Sequence, residues 1–165
     1  MKTLQPSDLM TLETYARERP AFRERVIAHK KRRTLAVGPN LTLLFEDRLT
    51  IKYQVQEMLR AERIFEEAGI QEELDAYNPL IPDGSNWKAT FMLEYPDEAE
   101  RRKALAKLIG IDKAVWMQVG EFPKIRPIAN EDLDRDTAEK TAAVHFMRFE
   151  LSPDMVAAVK AGAPI

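Results

Sequence analysis

Cysteine is missing from this chain of 165 residues. By itself the chain therefore has no disulfide, no thiolate nucleophile, no iron-sulfur ligation and no cysteine zinc site. Glycine is scarce, and the six glycines at positions 38, 69, 84, 110, 120 and 162 are too scattered for a dinucleotide fingerprint or a P-loop. The three serines, Ser7, Ser85 and Ser152, stand in no nucleophile-elbow pattern, which leaves a serine hydrolase without a motif. Histidine occurs only as His29 and His145; the positions three residues earlier, where a helical di-iron centre would place Glu, hold Val26 and Ala142. No stretch approaches the roughly 20 apolar residues of a membrane span, and "MKTLQPSDLM" lacks the apolar run of a signal peptide. A cytoplasmic location without a membrane partner is the expectation. An excess of one charge is also lacking: 25 Lys and Arg against 27 Asp and Glu give a net charge of −2, so no global field draws the chain to nucleic acid.

What is present, 45% hydrophobic and 32% charged residues, predicts one soluble globular domain over residues 1–165 with a single core. The N-terminal part, about 7–33, reads as helical. A short helix is capped by Ser7 or Asp8, and Pro20 suits the first turn of a second helix running to about Arg33. In "RTLAVGPNLTLLFED" two apolar arms flank Gly38-Pro39-Asn40, a hairpin signal. One long helix near 50–68 follows, then a shorter helix around "QEELDAY" and a breaker-rich loop, "NPLIPDG". "WKATFMLEY" alternates, placing Trp87, Ala89, Phe91, Leu93 and Tyr95 on one strand face, and "PDEAERRKALAKLIG" reads as a helix that Gly110 ends. "AVWMQVGEF" and "AAVHFMRFEL" read as further strands separated by the polar "NEDLDRDTAEK", a loop or one short helix, before a last helix from about Pro153. The fold class is α+β, a mainly antiparallel sheet of about four to five strands with helices packed on it.

Within "TIKYQVQEMLRAERIFEEAG", a turn of about 100° per residue puts Ile51, Val55, Met58, Leu59 and Phe65 in one arc, with Glu62 near its centre. A carboxylate there is expected to be buried, either paired with Arg33 or Arg48 or set in a polar pocket with Gln54 and Glu66 that His29 or His145 approaches. His145 qualifies because it alternates with Met147, Phe149 and Leu151 on the apolar face of its strand. The opposite helix face, with Tyr53, Gln56, Arg60, Arg63 and Glu67, is polar and suits solvent or a partner. In "HKKRR" the cations Lys30, Lys31 and Arg32 spread around a helix axis at the favourable end of its dipole, which argues against a nucleic-acid stripe. His29 and Arg33 share the side of Phe22 and Val26 and face inward.

The segments "KRRTLAVGPNLTLLFEDRLTIKYQVQEMLRAERI", "ELDAYNPLIP" and "HFMRFEL" resemble the bacterial family known as domain of unknown function 3501, over nearly the whole chain. The resemblance implies no established reaction. It does imply a setting, since genes of such proteins are often found beside those for rubrerythrin and an iron-sulfur oxidoreductase, and this suggests peroxide or redox metabolism. It also implies a family pattern that continues past "AGAPI". Two functions follow as expectations. One is a non-enzymatic accessory or binding protein with a protein partner in a redox system and no cofactor of its own. The alternative is a metal-binding protein or enzyme with an oxygen-rich site on Glu62, Glu57 or Glu66 and His145 or His29. Nucleic-acid binding through the His29 to Arg33 run ranks behind both.

Overall fold

The computed structural model describes residues 2–165. In chain order the elements are α1 (Leu12–Lys31), β1 (Thr34–Val37), β2 (Leu41–Phe45), α2 (Arg48–Glu62), α3 (Glu67–Tyr77), β3 (Asn86–Leu93), α4 (Glu98–Lys107), α5 (Ile111–Ala114), β4 (Ile128–Ala129), β5 (Val144–Glu150) and α6 (Pro153–Lys160). The class is α+β, with a five-stranded antiparallel sheet, as the patterning predicted. The chain divides into two compact units, one made of the residues up to Thr34 with Glu46–Asp83, the other of Leu35–Phe45 with Gly84–Ile165. In place of the single core expected, the buried apolar residues gather in three clusters.

The first unit carries α1, α2 and α3. The short helix capped by Ser7 or Asp8 is instead a 3₁₀ turn, Pro6–Asp8, and α1 starts after Thr11, whose hydroxyl accepts from Thr14 N at 3.2 Å. It then runs through Pro20 without a break. Proline removes one ladder bond, but the buried stripe of Tyr15, Phe22 and Val26 continues on both sides of it and holds the helix on course. On α2, Ile51, Val55 and Leu59 pack with Leu4, Leu74 and Ile81. Each fully buried side chain of this kind is worth about 2 kcal/mol over exposure.

The long helix near 50–68 is two helices. It stops at Glu62 because Arg63 turns left-handed, φ 57°, and the N–H groups of Arg63 and Ile64 both reach Leu59 O, the latter at 2.9 Å. That closure returns Ile64 to the cluster of Leu59 and Leu74. It also overturns the expected burial of Glu62, which lies exposed in the last turn, while Phe65 beyond it is 73% exposed.

The second unit is the sheet, ordered β1-β2-β3-β5-β4, with α4, α5 and α6. Gly38, at φ 73°, supplies the left-handed residue of the β1–β2 turn. The register sets Leu43 opposite Phe91 and Phe91 opposite His145, so these three form one row across the sheet. Ala89, Phe91 and Leu93 are buried as the alternation predicted, and Met147 and Phe149 extend the same core toward Leu105 of α4. The strand expected over "AVWMQVGEF" does not form. Met117 instead makes an isolated bridge to Ile125, with bonds of 2.9 and 2.7 Å, because Gly120 at φ 47° and Pro123 fold the segment back on itself. Among the described residues no helix is long and apolar enough to cross a membrane.

Candidate functional site

Four places concentrate chemistry or open surface. In the first unit the N-terminus of α2 is built on Asp47, the capping residue. Its Oδ1 accepts from the N–H groups of Leu49 and Thr50, both at 3.0 Å, and its Oδ2 meets His29 Nε2 at 2.6 Å and Arg33 Nη1 at 3.4 Å. The Thr50 hydroxyl accepts from Asp47 N at 2.9 Å and donates to Glu46. Burial of Asp47 works to raise its pKa, but the Thr50 N–H, His29 and the Arg33 charge more than offset it and hold the carboxyl below its ordinary value. The carboxylate is thus committed to its cap and to His29 and Arg33, an arrangement that fixes the end of α1 to the start of α2.

A second polar group joins the same helices. Tyr15 is fully buried, and its hydroxyl donates to Glu57 Oε1 at 2.5 Å. Arg19 holds Glu57 with both ends of its fork, Nε at 2.7 Å and Nη2 at 2.8 Å. The Arg19 fork foremost, helped by the Tyr15 hydroxyl, lowers the Glu57 pKa to about 2.

In the second unit His145 is fully buried on β5, as its alternation predicted. Its Nε2 lies 3.0 Å from Ala142 O and its Nδ1 3.0 Å from Asn130 Nδ2. Donation from Nε2–H to the carbonyl and acceptance at Nδ1 from the amide satisfy both, so the ring acts as a fixed crosslink under Phe91, edge to face at 5.4 Å. Asn130 turns its other amide hydrogen toward Asp112 Oδ2 at 3.5 Å, while Asp112 Oδ1 is buried without a hydrogen-bond partner among the described residues.

The fourth feature is a groove of about 610 Å³ in the second unit, open to solvent and walled by Leu35, Val37, Leu43, Val115, Trp116 and Met117. Leu35, Val37 and Trp116 are 50%, 49% and 45% exposed. Its polar side chain, Gln118, donates to Phe122 O at 2.9 Å and turns that capacity inward.

The structure redistributes the residues singled out from sequence. His29 and Arg33 meet, but on Asp47 and not on Glu62. Arg48 pairs with Asp8 at 2.6 Å. Glu62 and Glu66 are exposed and Gln54 is half-buried, so the pocket imagined around Glu62 is not assembled, and His145 belongs to the other unit. On the expected partner face, Gln56 is instead completely buried, accepting from Met10 N at 2.6 Å, and Tyr53 packs on Phe22. Arg60 and Arg63 are exposed. Among the described residues no group of three or more His, Asp or Glu is placed to hold a metal ion. Sequence reading missed Tyr15 and the groove. For the groove a signal existed, since Thr34 to Phe45 carries no charge at all and so leaves both faces of a hairpin apolar.

No curated protein matches this chain. A crystal structure of a protein from Burkholderia pseudomallei, described as a novel protein of unknown function, is 58% identical to it, with a TM-score of 0.94 over 99% of this chain and 84% of that chain. A family model described as protein of unknown function (DUF3501) matches residues 3–165, and the chain belongs to that family.

Proposed function

We propose that the protein is a non-enzymatic accessory or binding protein that works with a rubrerythrin-type redox or peroxide-stress protein. The observation that carries the binding half is the end of α2, where Phe65 stands 73% exposed after the exposed Arg60 and Arg63. A large exposed aromatic ring close in sequence to two exposed arginines has the composition of a protein interface, where aromatic and Arg side chains are enriched. The redox half is supported by the family resemblance and its gene neighbourhood. The polar centres support the same reading, since Asp47, Glu57 and His145 are each occupied by structural partners.

The test is titration of the purified protein with a purified rubrerythrin-type protein, followed by calorimetry. Saturable binding that Phe65→Ala and Arg60→Ala each weaken about tenfold or more, with unchanged thermal midpoints, is the expected result. An absence of binding, together with wild-type peroxide survival of a strain lacking the gene, would end the proposal.

A further inference from the structure

The groove of the second unit points to a ligand independent of the α2 surface. We infer that it binds an amphipathic anion of the alkyl carboxylate type, its tail along the groove and its head group at Lys124 and Arg126. The volume of about 610 Å³ lies in the range of small-molecule sites. Its walls are aliphatic and aromatic, and Gln118 is already engaged. What selects an anion is a pair of cations fastened beside the Trp116 wall. Lys124 Nζ sits 3.7 Å from the centre of the Trp116 ring, and Arg126 Nη1 donates to Lys113 O at 2.7 Å, so both cations are tied to the segment that forms one wall. Both are exposed, and neither forms an ion pair among the described residues. The nearby acid, Glu121, is exposed too and pairs with neither. An ammonium held over an indole keeps its outward donors for an incoming carboxylate, and a guanidinium donates to one through its fork.

Two other occupants are less well matched. A partner strand added to β1 would find only four residues before the turn at Gly38 and Pro39, a short ladder of the kind that blunts sheet edges. A second copy of the chain would bring Lys124 and Arg126 no opposite charge from the apolar hairpin it shares.

The experiment titrates dodecanoate, below its aggregation concentration, into the full chain with calorimetric and Trp116 fluorescence readouts, alongside dodecanol, acetate and a peptide alternating Val with Thr. The expected result is saturable one-to-one binding of dodecanoate, no binding of acetate, and dodecanol weaker by about tenfold or more. Lys124→Glu with Arg126→Glu should weaken dodecanoate by a similar factor and leave dodecanol unchanged. Val37→Glu should abolish both; if that variant lacks a cooperative unfolding transition, Leu35→Gln replaces it. No dodecanoate binding, equal binding of dodecanol, indifference to the double charge reversal, binding of the peptide alone, or self-association that Val37→Glu disrupts would each overturn the assignment. Because Phe65 and Arg60 take no part, such a failure leaves the partner reading standing, and failure of that reading leaves this one standing.

Discussion

Glu57 receives a phenol hydroxyl and a guanidinium at once, and both prefer it ionised. Its pKa falls from 4.5 to about 2 in the folded chain, so the stability it contributes is complete above 4.5 and is lost as pH falls toward 2. Denaturant midpoints measured across that window should fall in the wild type. They should fall distinctly less in Glu57→Gln, which has no proton to take up; equal slopes for the two proteins would show that other carboxylates govern the acid limb. Glu62 gives the opposite expectation. Exposed and unneeded by the core, it acts instead as one of the charges that, after burial, raise the pKa of Glu73. Glu62→Ala should therefore change the unfolding free energy by no more than about 0.5 kcal/mol, as read by urea unfolding. A loss of several kcal/mol would mean that the carboxylate is paired after all.

Helix ends decided how well the elements could be read. The hairpin, β3, β5 and α6 were legible because each carries a local signal: Gly38-Pro39-Asn40, strict alternation in two strands, and Ser152 before Pro153. The end of α2 carries none. "ERIFEEA" is full of helix-compatible residues, and what stops the helix is tertiary, the pull of Ile64 onto Leu59 and Leu74. The misplacement of Glu62, and of the site built on it, followed from that one overrun. Pro20 produced the reverse error, a local breaker overruled by the continuous stripe of Tyr15, Phe22 and Val26. The groove was only half legible: the charge-free hairpin marks an apolar strip, but exposure of Leu35 and Val37 depends on which segments fail to cover them, and no local pattern encodes that. The turn between α2 and α3 yields a test. A Cβ on Gly69 would lie 2.7 Å from Ile64 Cγ2. Gly to Ala in a helix gains up to about 1 kcal/mol of propensity, whereas displacing a branched, half-buried side chain from its packing costs about 1–3 kcal/mol. Gly69→Ala should thus be net destabilising in thermal unfolding, and a stabilised variant would show that Ile64 yields freely.

At the scale of the molecule, both units are discontinuous in sequence. Residues 35–45 belong with 84–165, while the segments on either side of that hairpin belong together. A fragment of residues 84–165 keeps β3, β4 and β5 but loses both strands on one side of β3. It bares Phe91 and Leu93 along a newly opened edge, and should show no cooperative melting by circular dichroism and a tendency to aggregate. A cooperative transition in that fragment would show that the hairpin is dispensable to the sheet.

The split of the second unit also sets a timetable for synthesis. Leu41 pairs with Leu93, and Asn86 with Glu150. When β2 emerges from the ribosome its partner strand is still about fifty residues away, several seconds at ~5–20 residues per second. Throughout that interval the charge-free hairpin waits with Leu43 and Leu44 uncovered, and it is the stretch most prone to pair with another nascent chain. Thr42 stands just before them in sequence and ends beside Glu94, to which it donates a hydrogen bond. Thr42→Lys would place a charge on the waiting strand and an opposite charge in reach once β3 arrives. Soluble yield at elevated temperature should rise while the melting point of the purified protein stays the same.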